Sequence, residues 1–121
     1  NLLASDYTSL YISPVSNNKL SKGACCIQVT MNGLKNCEIY DTSWKEAQLG
    51  VQVKTYVCNE TNARLIDDYG YIAEVAIPRS KLTITSGQVL VNFSVAKRSS
   101  VDAICDVTST STARWIPVVG L

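Results

Sequence analysis

Histidine is absent from this chain of 121 residues. Without an imidazole, Ser-His-Asp and Cys-His nucleophile systems cannot be assembled. No Cys-x-x-Cys spacing occurs either, and with no histidine the chelating pairs of a zinc ribbon or finger are missing. There is no Gly-rich phosphate loop. A paired-carboxylate mechanism has only Asp67-Asp68 to draw on, and adjacent residues point apart, so the pair reads as a polar loop. No enzymatic activity is expected.

Charge is also scarce. Charged residues make up 17% of the chain and the net charge is +1, so no global field recruits a polyanion. The lysines are scattered and the one basic doublet is Lys97-Arg98. A nucleic-acid footprint needs clustered cations interleaved with aromatics, so no nucleic-acid partner is expected. No apolar run reaches bilayer length, so membrane insertion is not expected. Asn1-Leu2-Leu3 does not open a basic and then apolar leader, which sets the expectation that any signal peptide has been removed. Asp6, Asp41, Asp67 and Asp68 are hard oxygen donors without a D-x-D-x-D-G loop. No cofactor is expected, and a structural calcium ion is the one metal left open.

What is present is cysteine and alternation. The five cysteines are Cys25, Cys26, Cys37, Cys58 and Cys105. They read as disulfides plus one spare thiol, in an extracellular or cell-surface setting. Cys58 and Cys105 sit at the ends of apparent strands, where a staple between sheets has the reach. Neighbours in a strand face opposite sides, so Cys25 can join the core while Cys26 reaches an outside partner. Two glycosylation triplets, Asn59-Glu60-Thr61 and Asn92-Phe93-Ser94, fit secretion.

Period-two patterning predicts a strand over Ala24–Met31, with Cys25, Ile27, Val29 and Met31 on one face, followed by an Asn32-Gly33 turn and a short strand through Cys37–Tyr40. Val51–Val57 and Tyr71–Ile77 repeat the pattern, and Pro78 stops the second. Ser86-Gly87 turns the chain into the clearest stripe, Val89, Val91, Phe93 and Val95. That reading puts Val91 and Phe93 in the central core and sets the cost of Phe93→Ala at roughly 3–5 kcal/mol. A weaker strand is predicted over Ala103–Val107, and Trp115–Val119 closes the chain. Ser43–Leu49 reads as a two-turn helix, with Ser43 and Glu46 as a capping box and Gly50 as its stop. The sum is one all-β domain over residues 1–121, an antiparallel, jelly-roll-like β-sandwich.

The stretch Asp68–Val95 contains G-Y-x-x-E-x-A-I-P at Gly70, Tyr71, Glu74, Ala76, Ile77 and Pro78, then V-N-F-x-V at Val91, Asn92, Phe93 and Val95. It resembles the family nine carbohydrate-binding modules and the related DOMON-like β-sandwiches. Asp6–Ile12 looks like that family's opening strand, and Trp115 stands a few residues before Gly120-Leu121, as a tryptophan does there. The resemblance implies a non-catalytic, lectin-like module of a secreted or surface protein that binds a polysaccharide or glycan. Only Trp115 maps onto a stacking position of the family. Leu20–Ala24 has no aromatic, Gln28 stands where the family strand has Glu, and the arginine expected near Gln48–Val51 is missing. The implied ligand-binding surface is therefore Trp115 with Tyr69, Asn92 and Asp41 as neighbours. The alternative on the same scaffold is an adhesion or assembly domain that binds other protein domains and has no sugar site.

Overall fold

The structure is a computed structural model that describes residues 6–57, 70–97, 100–106 and 108–121. It is an all-β antiparallel sandwich of two unequal layers. Among the described residues nine strands follow in chain order: β1 Tyr7–Ser13, β2 Cys25–Thr30, β3 Gly33–Tyr40, β4 Trp44–Glu46, β5 Gln52–Val57, β6 Tyr71–Ala76, β7 Val89–Lys97, β8 Ser100–Ala103 and β9 Ile116–Val118. The large sheet runs β4-β3-β2-β1-β7-β8, and β9 also pairs with β7. Among the described residues the small sheet is β5 with β6. No helix of the described residues is long and apolar enough to cross a membrane.

Local chemistry explains the turns. β2 and β3 form a hairpin in register Thr30 to Gly33, and Gly33 takes φ +117°, which a side chain would resist. Ser86 and Gly87 both have positive φ, at 52° and 71°, between the paired Thr85 and Gln88. That is the backbone of a two-residue hairpin turn whose twist matches its flanking strands.

The predicted helix at Ser43–Leu49 is not formed. Trp44–Glu46 adds instead as the edge strand β4 on β3, with Tyr40 opposite Trp44. Seven residues make a helix that is marginal by itself, whereas the open edge of β3 supplies ladder hydrogen bonds and the Tyr40 ring packs on Trp44 at 5.2 Å. The strand predicted over Ala103–Val107 lies earlier, as β8.

The core lies between the layers. Cys25, Ile27 and Val29 of β2, Ile12 of β1, Cys37 of β3, Val89 of β7 and Leu49 are buried there. Val51, Val53, Tyr71, Ala73 and Val75 of the small layer pack on them while staying partly exposed. Hydrogen bonds fix the small layer's position. Thr55 Oγ1 donates to the Met31 carbonyl (2.8 Å), and the Tyr71 hydroxyl donates to the Val29 carbonyl (3.3 Å) and bonds Thr8 Oγ1 (3.0 Å). The small layer thus lies over β3, β2 and β1, with β6 on the β1 side.

Candidate functional site

The large sheet has two faces with different covers. On the outer face, small polar residues of β1 and β7 (Ser9, Ser13, Ser94) and Cys26 of β2 are buried. The Tyr11 side chain reaches Ser9, Ser94 and Cys26, and two segments lie beside this face, the one after β1 and the one before β9. They are stitched together by Leu20 N–H to Thr110 O (2.7 Å) and Thr112 N–H to Asn18 O (2.9 Å). Four rings form a row here: Tyr40 to Trp44 at 5.2 Å, Trp44 to Tyr11 at 5.8 Å and Tyr11 to Trp115 at 6.1 Å. The rings meet at 59–65°, edge against face, so they pack on one another and leave no slot between them.

Two of the four residues expected to line a sugar surface, Trp115 and Asn92, are buried. Trp115 is only 6% exposed, so its ring has no free face on which to stack a sugar. Asn92 is fully buried and serves the fold. Its Oδ1 accepts the N–H groups of Phe93 (2.9 Å) and Cys105 (3.0 Å), and its Nδ2 donates to the Cys105 carbonyl (3.2 Å). Asp41 is exposed, and Tyr69 lies outside the described residues. Period-two reading identifies the side of Asn92 correctly but cannot show that a second layer of loop covers that side. A buried polar residue inside the apolar run Val89–Val95 was the available signal.

Beside Trp115 is a pocket of about 200 Å³, lined by Ile104, Cys105, Asp106, Ser109, Ser111, Arg114 and Trp115. The N–H and hydroxyl of Thr108 donate to Asp106 Oδ1 at 2.8 and 2.7 Å and hold that carboxyl below its ordinary pKa. The Trp115 indole N–H and the Thr112 hydroxyl are buried with no hydrogen-bond partner among the described residues. A larger hollow of about 610 Å³ borders β3, where Lys35, Asn36, Cys37, Glu46 and Gln48 line it. Among the described residues no three metal-ligating side chains come together. Asp67 and Asp68 lie outside those residues.

The cysteines differ from the sequence expectation. Cys25, Cys26, Cys37 and Cys105 carry free thiols. Cys58, and with it the expected Cys58–Cys105 pairing, lies outside the described residues. Cys26 does not reach an outside partner, because the outer face is covered too. Burial pushes the Cys25 thiol up to about 11, with the neighbouring Cys37 adding to it. Burial and then Glu38 push Cys26 up to about 12. Thiols held protonated in this way are poor nucleophiles.

The inner face supplies the feature that the sequence reading missed. Phe93 and Val95 point to the core side, yet they stay 39% and 37% exposed. The register extends the patch. Ile116 lies opposite Val91 and Val118 opposite Val89, so both share that face. Ile104 donates its N–H to the Phe93 carbonyl, one step beyond the Ser94–Ala103 pair, and joins the same side. These five apolar side chains are 37–57% exposed. Phe93 is therefore a rim residue of an open layer, not a central core residue, whereas Val91 does pack against the core. The cause is arithmetic. The two described strands of the small layer cannot roof a sheet that is six strands wide.

No protein-family model matches this sequence, and no curated protein or solved structure matches it.

Proposed function

We propose that this chain is a non-catalytic binding domain that holds another polypeptide against the open part of its inner face. The observation that carries this reading is the stripe Phe93, Val95, Ile104, Ile116 and Val118. Scattered exposed apolar residues need no explanation, but a contiguous set on the core-facing side of a sandwich marks an interaction surface. A displayed peptide library panned against the chain tests it. Enrichment of apolar peptides that is lost with Val95→Lys and kept with Leu34→Lys supports the reading, because Leu34 is exposed on β3, away from the stripe. No enrichment, or equal loss with both variants, refutes it.

A second reading is favoured by the pocket beside Trp115. Its rim of Asp106, Ser109, Ser111 and Arg114 offers several hydrogen-bonding groups around an indole, and the resemblance to family nine modules points to a glycan. In that reading a single sugar unit binds by its hydroxyls, with the affinity of a few hydrogen bonds, on the order of millimolar. A glycan array probed with the wild type and with Arg114→Ala tests it. Retention of some glycan that Arg114→Ala abolishes supports it, and an empty array removes it.

A further inference from the structure

We infer that the outer edge of β6 takes up one extended strand of a partner polypeptide, which completes the small layer and roofs the apolar stripe. This inference rests on the polypeptide-binding reading above. β6 pairs with β5 from Tyr71 to Ala76, and among the described residues no strand pairs with its other edge. Among the described residues a row of main-chain donors and acceptors thereby stands without a partner, beside a half-exposed apolar surface. Neither feature alone identifies an occupant, but together they do. The open edge asks for an extended backbone, and the stripe asks for an apolar side chain at every second position of it.

The position of the small layer sets where that strand lies. β6 sits over β1 through the Tyr71–Thr8 hydrogen bond, and the next strand of the large sheet beyond β1 is β7. A strand added about 4.8 Å beyond β6 therefore runs above β7, where Phe93 and Val95 project. The space exists already. A groove of about 380 Å³ opens between Gly70, Tyr71 and Ala73 on one side and Asp6, Thr8, Val29 and Val95 on the other. On the opposite face of β6, Ile72, Glu74 and Ala76 are exposed. A cation facing Glu74 from the added strand is favoured over an anion. The partner segment thus alternates inward β-branched or aromatic residues with outward polar ones, at least one of them Lys or Arg.

A second copy of the chain does not fit the edge. Two β6 strands pairing antiparallel are related by a two-fold axis perpendicular to the small sheet, which puts both large sheets on the same side. Each large sheet extends beyond its own β6 and would occupy the space beneath the other. The occupant is a strand with nothing bulky behind it on that side.

The probe is a short end-blocked peptide alternating valine with threonine and lysine, titrated into the intact chain by fluorescence anisotropy. Two further versions carry N-methyl groups on alternate amides, one set along each edge of the peptide. Binding of the parent, weakened at least about tenfold by methylation of one edge only and by Val95→Lys, is the expected result. If both methylated peptides bind as well as the parent while Val95→Lys still fails, strand addition is overturned and only the general binding reading stands. If the parent peptide does not bind, the inference is overturned. It is equally overturned if the wild type sediments as a dimer that Val95→Lys converts to monomer, since a second copy then holds the face.

Discussion

Truncating Phe93 to alanine separates an open inner face from a closed one. A fully buried phenylalanine cut to alanine costs about 3–5 kcal/mol, part of it for removed contacts and part for the void left behind. Phe93 is 39% exposed, so about three-fifths of that transfer remains, and a side chain at an open rim leaves no closed void. The expected cost is about 1–2 kcal/mol. Ile27, on the same face of the same sheet but beneath the small layer, has no exposed surface. Ile27→Ala should cost about 2–5 kcal/mol, with the full cavity contribution. For a chain of this size each kcal/mol moves Tm by about 3–5 °C. Urea unfolding followed by circular dichroism, with thermal melts beside it, gives both numbers. Ile27→Ala is expected to cost at least about twice as much as Phe93→Ala. Equal costs would mean that Phe93 is roofed, and the open-face argument would fail.

The buried thiols predict an alkaline loss of stability. The unfolded chain releases cysteine protons near pH 9.0, while the folded chain keeps those of Cys25 and Cys26 to about 11 and 12. Folded pKa values above unfolded ones mean that stability is full below about pH 9 and falls as pH rises, by at most about 1.4 kcal/mol per pH unit for each thiol. Urea midpoints at about pH 8 and pH 10 check this, and Cys26→Ala should make the decline shallower; an unchanged slope in that variant would rule out the thiol contribution. Asn92→Ala strips the acceptor from the Phe93 and Cys105 N–H groups in a buried site and should cost at least about 1–3 kcal/mol. A near-neutral Asn92→Ala would contradict its structural role and reopen it as a ligand group.

Alternation made most of the strands legible, because the period-two signal over Cys25–Thr30, Gln52–Val57, Tyr71–Ala76 and Val89–Lys97 is a direct consequence of the pleat. Turn chemistry at Gly33 and Ser86-Gly87 was legible for the same local reason. Ser43–Leu49 was not, since its capping pattern is local while the edge of β3 that captures Trp44–Glu46 comes from elsewhere in the chain. The site was hidden by a more general limit. A pattern says which side of a strand a residue occupies, not what lies over that side. Asn92 and Cys26, on the side read as outward, proved buried, and Phe93, on the side read as core, proved 39% exposed. What covers each face depends on how strands divide between layers, and pairing is a long-range property. Small residues at Ser9, Ser13 and Ser94 hint at close approach on the outer face, which a reading centred on apolar stripes passes over.

Carbene footprinting with mass-spectrometric readout, in the absence and presence of the alternating valine peptide, tests the central claim most directly. The account predicts strong labelling of Phe93, Val95, Ile104, Ile116 and Val118 in the free chain, far above Ile12 and Ile27, and protection of these five when the peptide binds. Labelling of the five as weak as that of Ile27 in the free chain, or labelling that the bound peptide leaves unchanged, would contradict it.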